Sequence, residues 1–343
     1  MKGGPALVLE ALRRADGKTC SGQLLSQLQG VSRAQVWKHV ESLRARGYQI
    51  DAEAGEGYRL TRTPDRLYAE EILAELDTRW LAREVHHFDE IDSTNRVALE
   101  LARSGCAQGT TIVAESQSAG RGRLGRSFFS PPGTNLYTSI VLRPAITTAA
   151  APSWILASAA AVATTIAGWL TESAGSHAGD TVEIKWPNDV LISGLKTSGI
   201  LMELGAEATR VEFLVLGIGI NLNVDREEFP DEFRSRATSL YSHSGHRVDR
   251  VAFARHLYGN LERIFDACGS RGFDAVRPEF ESRFRMPGRH VTVCEFDGSR
   301  LEGTAIGIDV DGALRIRCDG QPAGTGEEVR VIAGDVTLAK EAP

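Results

Sequence analysis

Cysteine is scarce and poorly placed for chemistry, with five in 343 residues at positions 20, 106, 268, 294 and 318. No pair stands in a C-x-x-C or Cys/His zinc spacing, and the odd count argues against a disulfide framework. The sequence therefore predicts buried thiols in a reducing cytoplasm and no dedicated metal site. The opening Met-Lys-Gly-Gly-Pro carries no apolar run of the signal-peptide kind. The longest apolar stretch, Trp154 to Leu170, is rich in Ala, Ser and Thr and at the short end for a membrane span. It reads as a core helix, so the expectation is a cytoplasmic protein without a membrane partner. Internal repeats are absent as well.

Charge is unevenly spread. Residues 1–66 hold 11 Lys/Arg against 7 Asp/Glu, whereas the whole chain has a net charge of −6. A basic segment on an acidic body fits a nucleic-acid-binding appendage. Within it, Leu7, Leu9 and Leu12 recur at helical spacing, and Leu24, Leu25 and Leu28 mark a second helix between Ser21 and Gly30. Ser32 is placed to cap a third helix, Arg33 to Arg46, with Val36, Val40 and Leu43 inward. Its other face would present Arg33, Gln35, Lys38, His39 and Arg44. Tyr48–Asp51, a Gly55-Glu-Gly57 turn and Tyr58–Leu60 read as a two-stranded wing. The short link Leu28–Ser32 has helix-turn-helix length. Either a DNA reader or a three-helix packing or dimerisation module would carry this pattern, and the basic face favours DNA.

Beyond a linker at Thr63-Pro64, strand-like runs at 110–115, 135–143, 182–186, 189–193, 199–204 and 211–219 alternate with helical stretches at 94–104, 152–174 and 249–268. This predicts an α/β domain with a mixed sheet. After Met286-Pro287-Gly288, short β runs separated by Gly/Asp turns predict a small barrel. The fold class is thus α+β multidomain: a winged helix-turn-helix over 1–62, a central α/β domain over 63–284 and an SH3-like β-barrel over 285–343.

Gly120-Arg-Gly-Arg-Leu-Gly-Arg126 suits neither a packed helix nor a strand. Glycine leaves the backbone bare to a ligand, and arginine supplies planar forks for phosphate and carboxylate oxygens. The segment matches G-x-G-x-x-G formally, but a strand rather than a helix follows it, and no Gly-Lys-Ser/Thr makes it a P-loop. A loop that closes over an anion remains, against a merely structural glycine loop. Lys185-Trp-Pro-Asn-Asp189 presents Asn188 and Asp189 at a strand end, either as an Asx turn or with Asn188 recognising an adenine or amide edge and Asp189 binding metal or taking a proton. Lys196 reads as a turn residue before an apolar strand. Asp92-Ser-Thr-Asn95 opens a helix, as a cap or as a set of ligand-facing groups. Gln117 lies just before the glycine loop, and the glycines of Gly217-Ile-Gly-Ile-Asn-Leu-Asn223 permit either close approach or a sheet bend.

Ser93-Thr-Asn, Gln117, Gly120–Arg126, Lys185–Asp189, Lys196 with Gly199, and Gly217–Asn223, in this order, resemble the biotin–protein ligases. With the N-terminal helix-turn-helix the chain resembles the bifunctional form that also represses the biotin operon. The resemblance implies ATP and Mg²⁺, biotinyl-5′-adenylate as intermediate, and a lysine of a biotin carboxyl carrier protein as acceptor. It implies biotin contacts from Ser93, Thr94, Asn95, Gln117, Arg121, Gly122, Arg123, Lys196 and Gly199. Adenylate contacts would come from Arg121, Arg123, Arg126, Phe128, Asn188 and Asn221, with Lys196, Arg121, Arg123 and Asp189 catalytic. Operator DNA would meet Ser32, Arg33, Gln35, Lys38, His39 and Arg44. A homodimer would form when adenylate is bound, through an edge strand near 211–219 and the glycine loop. Phe128 stands where an indole is common in that family, and Ala339-Lys340 where an arginine is expected. A lipoate or octanoate–protein ligase and a ligand-sensing transcription factor without ligase activity are the alternative readings.

Overall fold

The computed structural model describes residues 4–53, 55–294, 299–319, 326–332 and 334–338, which leaves Ala339-Lys340 outside the described residues. The chain divides into two units, Met1–Arg66 and Leu67–Pro343.

In the first unit, α1 (Gly4–Arg14), α2 (Gly22–Gln29) and α3 (Arg33–Ala45) precede a hairpin of β1 (Gln49–Glu53) and β2 (Gly57–Arg62). Local chemistry sets the boundaries. Ser21 Oγ accepts from Leu24 N–H and Gly30 ends α2 in the left-handed region. Ser32 Oγ then accepts from Gln35 N–H to start α3. Val36, Val40 and Leu43 are buried with Val8, Leu9, Leu12 and Leu25. Three expected core leucines are not: Leu7, Leu24 and Leu28 are exposed, because Val8 and Leu25 occupy the inward stripe of helices this short.

The second unit is built on a seven-stranded sheet. Before it comes α4 (Ala69–Ala74), then β3 (Val85–Phe88), α5 (Thr94–Arg103), β4 (Thr111–Ala114), β5 (Leu136–Leu142) and α6 (Ala151–Ala174). β6 (Val182–Lys185), β7 (Asp189–Ile192), β8 (Leu195–Glu207) and β9 (Arg210–Ile220) complete it. The order β3-β4-β5-β9-β8-β7-β6 is mixed, since β3 and β4 run parallel and the other pairs antiparallel. Short helices α7 (Asp231–Arg234) and α8 (Leu240–Ser244) lead to the long α9 (Arg250–Arg271) and then α10 (Arg277–Glu281). α5 packs on one face of the sheet, with Ala98 and Ala102 against Val141 and Val215. α6 and α9 pack together within the main core. α6 is long and apolar enough to cross a membrane, but 15 of its 24 side chains are buried in that core, as a core helix requires.

β10 (His290–Cys294), β11 (Arg300–Ile308), β12 (Leu314–Cys318), β13 (Glu328–Val331) and β14 (Asp335–Leu338) form an antiparallel sheet, order β13-β12-β11-β10-β14. Among the described residues its edge strands β13 and β14 do not pair, and a closed barrel is not seen. Trp186, fully buried, donates from Nε1 to the Gly312 carbonyl at 2.9 Å and fastens this sheet to the β6–β7 turn.

Two readings need correction. The strand at 211–219 is no edge: β9 lies between β5 and β8, with Val215 opposite both Val141 and Glu203. Lys196 is the second residue of β8, not a turn residue. The reversal is made by Ser193 and Gly194, both at positive φ.

Candidate functional site

A cavity of about 920 Å³ opens at one end of the large sheet. Its wall includes Ser93, Thr94, Asn95, Gln117, Arg121, Gly122, Arg123, Arg126, Phe128, Asn188, Asp189, Lys196, Gly199 and Asn221. Segments far apart in the chain, from Ser93 to Thr337, thus meet at one place. They do so because β4, β5, β7, β8 and β9 deliver their ends and turns to the same side.

One part of the wall is uncharged. Ser93 occupies the N-cap position of α5, yet its side chain makes no cap bond. Gln117 does that work, its Oε1 accepting from Thr94 N–H at 2.9 Å and standing 3.1 Å from Thr94 Oγ1. Gln117 Nε2 in turn donates to Ser130 Oγ at 3.1 Å. A glutamine distant in sequence therefore replaces the local cap and leaves the Ser93 hydroxyl uncommitted to the helix. Asp92 anchors the same turn through Arg96, whose hydrogen bond holds its carboxyl below the usual range. Tyr137 lies in the wall with its hydroxyl donating to the Pro131 carbonyl at 2.9 Å, and burial pushes its pKa up.

The glycines of β9 make room for side chains. A Cβ on Gly217 would stand 2.0 Å from Asn95 Oδ1, and one on Gly219 2.5 Å from the Phe128 ring. The Phe128 ring also meets Tyr137 edge-on at 6.4 Å. Close approach rather than a sheet bend explains both glycines, and what approaches is the protein's own Asn95 and Phe128.

The other part of the wall is charged. Lys196 Nζ stands 2.6 Å from Asp189 Oδ1, within ion-pair range but off the line of a well-aligned hydrogen bond. Residues 120–128 fold back on themselves, with Gly122 N–H donating to Arg126 O (2.7 Å) and Phe128 N–H to Gly120 O (2.9 Å). The reversal uses Leu124 and Gly125 at positive φ. Arg123 donates from Nη1 to Asn188 Oδ1 (3.2 Å) and from Nη2 to Gly334 O (3.1 Å). Asn188 Nδ2 donates to Ile200 O at 2.9 Å. Asn221, buried, donates from Nδ2 to Thr238 O at 3.2 Å, so its amide braces the segment after α7.

Sequence reasoning missed Phe229, Phe233 and Arg236, which line the same cavity from the segment around α7. The backbone places them there, since Lys196 N–H donates to Arg236 O and Thr238 N–H to Lys196 O. Irregular chain gave no periodic signal. The aromatic-arginine composition of Phe229–Arg236 was the one clue available.

On α3, Arg33 and Lys38 are exposed and Ser32 is spent as the cap. Gln35 and His39 are half-buried, and the His39 ring sits where a Cβ on Gly4 would be. Arg44 does not belong to the outward face. It donates from Nε to Ile50 O (2.9 Å) and pairs with Glu41 (2.7 Å), tying α3 to the hairpin. Trp37, unremarked in the sequence, is 53 % exposed on this helix.

Residues 87–221 match the biotin/lipoate A/B protein ligase family, residues 6–59 an HTH domain and residues 288–338 the biotin protein ligase C-terminal domain. The chain belongs to the biotin–protein ligase family. It is 38 % identical over 307 residues to the bifunctional ligase/repressor BirA of Bacillus subtilis (strain 168), across 90 % of this chain and 92 % of that one. It is 32 % identical over 306 residues to the bifunctional ligase/repressor BirA of Escherichia coli (strain K12), across 89 % and 90 %. The solved biotin protein ligase from Aquifex aeolicus in complex with biotin and ATP is similar at a TM-score of 0.58 and 26 % identity. That match covers 76 % of this chain and all of the other.

Proposed function

We propose that the protein activates biotin with ATP to biotinyl-5′-adenylate, transfers the biotinyl group to a lysine of a biotin carboxyl carrier protein, and represses the biotin operon. The observation that carries this reading is the division of one cavity into an uncharged wall and a cationic wall. A neutral ureido ring suits short hydroxyl and amide groups in a partly apolar recess, here Ser93, Thr94 and Gln117. A carboxylate and an α-phosphate repel each other, and Arg121, Arg123 and Lys196 supply the charge that brings them together.

In the first step a biotin carboxylate oxygen attacks the α-phosphorus, the bond from that phosphorus to the bridging oxygen breaks, and pyrophosphate leaves. Mg²⁺, bound with the triphosphate as part of the substrate, would supply charge neutralisation there. Among the described residues no cluster of three metal-binding side chains offers a cage of its own. Arg126, Phe128, Asn188 and Asn221 bound the adenylate side. In the second step the neutral amine of the acceptor lysine attacks the acyl carbon, AMP departs, and Asp189 takes the amine proton. The loop at 120–126 excludes water from the mixed anhydride between the steps.

For DNA, the exposed Arg33 and Lys38 of α3 would hold phosphates, while Ser32, Gln35 and His39 lie near the same surface. Dimerisation on adenylate binding would pair two such units with operator half-sites. The strand edge suited to it is on β8, where residues 201–207 pair with β9 on one side and, among the described residues, with no strand on the other. An SH3-like closure of the C-terminal sheet, the domain limits 1–62, 63–284 and 285–343, and a cytoplasmic site belong to the same reading. The deciding experiment mixes the protein with biotin, ATP, Mg²⁺ and a carrier domain. A mass gain of one biotinyl group on the carrier is expected. No gain with biotin, or a gain with lipoate or octanoate instead, overturns the reading.

A further inference from the structure

Asn95 faces the cavity, yet both its polar atoms are engaged within the protein. Nδ2 donates to Glu203 Oε2 at 2.9 Å, and Oδ1 lies 2.6 Å from Ser139 Oγ. Ser139 Oγ stands 2.8 Å from Thr94 Oγ1, which stands 3.1 Å from Gln117 Oε1. Thr94, Asn95 and Ser139 are at most 4 % exposed, so water does not substitute for a lost partner at no cost. Gly217 makes the arrangement possible by leaving space for Asn95 Oδ1.

A string of this kind has a direction. An amide turned end for end exchanges donor and acceptor with almost no change in shape, and a hydroxyl has one proton to give. A carboxylate only accepts. Glu203, the nearer of two acceptors on Asn95 Nδ2 (2.9 Å, against 3.5 Å to the Leu201 carbonyl), therefore sets the sense of the Asn95 amide. It requires the donating end of Asn95, which turns Oδ1 toward Ser139 and commits the Ser139 proton to Asn95. With the Ser139 proton spent on Asn95, the single Thr94 proton is shared between the Ser139 lone pairs and Gln117 Oε1, and the Thr94 hydroxyl is left to accept from the cavity. We propose that Glu203 is a positioning residue for the pocket, acting through Asn95 and Ser139 to set the donor–acceptor sense of the Thr94 hydroxyl and hence the affinity for a ureido ring. The proposal rests on the biotin reading above.

The test is calorimetric titration of the full chain with biotin alone. Asn95→Asp faces one carboxylate with another and removes the donor, and is expected to weaken biotin binding about tenfold. Glu203→Gln in that background supplies an amide that donates to Asp, which still accepts from Ser139. Affinity should return to within about threefold of the starting protein, a non-additivity that independent sites do not show. Loss of general packing would not be repaired by a second substitution. If Asn95→Asp melts without a cooperative transition, Glu203→Ala and Ser139→Ala are compared singly and together. Overlapping losses support the string, and additive losses overturn it. Absence of any biotin heat from the unsubstituted protein overturns the biotin reading and the proposal with it. Binding by that protein without rescue in the double variant overturns the positioning role alone.

Discussion

Lys196 shows how little a single residue reveals before its neighbours are known. In sequence it is one lysine after a Ser-Gly turn. In the fold its ammonium lies over Gly199, 2.6 Å from Asp189, inside a cavity shared with Arg121 and Arg123. On the proposed reaction, Lys196→Ala should lower biotin-dependent pyrophosphate exchange by about 10²–10³-fold, the usual loss when one preorganised charge-stabilising group is removed. Normal exchange by the variant would remove Lys196 from the chemistry. Arg123 acts differently, because it joins the glycine loop to Asn188 and to the main chain at Gly334. Arg123→Gly should form adenylate more slowly and release it into solution, and unchanged retention on a filter would contradict that role. The sequence motifs named both residues. Only the coordinates separate a cation beside a carboxylate from a cation that ties three segments together.

At the scale of elements, hydrophobic period and caps located most helices and strands to within a few residues. Ser21, Gly30 and Ser32 are legible stops and starts because their chemistry is local. The short β3, the helices α4, α7 and α10, and the outward turn of Leu7, Leu24 and Leu28 were not legible, whereas Leu9, Leu12 and Leu25 are buried as expected. Their sides are chosen by packing partners far off in the chain. The phenylalanine and glycine at 128 and 219 belong to this scale as well. Gly219→Ala should push the Phe128 ring away and destabilise the protein by about 1–3 kcal/mol, as overpacking does. Adding Phe128→Ala should recover most of the loss in thermal melting. A Gly219→Ala protein as stable as the original would mean the ring moves without hindrance.

Across the whole molecule, one buried pair has an outsized part. Arg250, the first residue of α9, is fully buried and donates to Glu115 Oε2 at 2.9 Å, and Glu115 Oε1 accepts from Leu67 N–H at 2.8 Å. Burial alone would raise the Glu115 pKa. The His87 contact, the Arg250 charge and the Leu67 N–H outweigh burial and bring it down to about 2. A carboxyl whose pKa falls on folding adds stability above its unfolded value, and that stability is lost as pH drops from about 4 toward 2. Glu115→Gln should therefore melt well below the original protein at pH 7, because Arg250 is left buried without its counter-charge. The two melting temperatures should converge as pH falls to about 2. A gap independent of pH would show that the pair contributes by shape alone. Dimer formation also belongs here. Sedimentation should shift on adding biotin and ATP, and the charge introduced by Leu204→Glu on the edge of β8 should abolish the shift. An equal shift in both proteins would rule that edge out, and no shift in the original would rule out dimerisation on adenylate binding.

From the sequence by itself followed what depends on near neighbours and residue chemistry. Helix caps, strand runs, a glycine-arginine loop, the order of motifs and the family resemblance are all properties of short stretches. Tertiary structure alone decided which of two open readings each stretch obeys, because distant groups complete the polar and packing partners. Gln117 caps α5 in place of Ser93, and Glu203 on β8 reaches Asn95 on α5. Arg44 is drawn in to the Ile50 carbonyl, and β9 lies inside the sheet where an edge was expected. A hydrogen bond or a strand pairing has no local signature in sequence when its two halves lie well apart in the chain, as Gln117 and Thr94, Arg123 and Asn188, and Glu203 and Asn95 do.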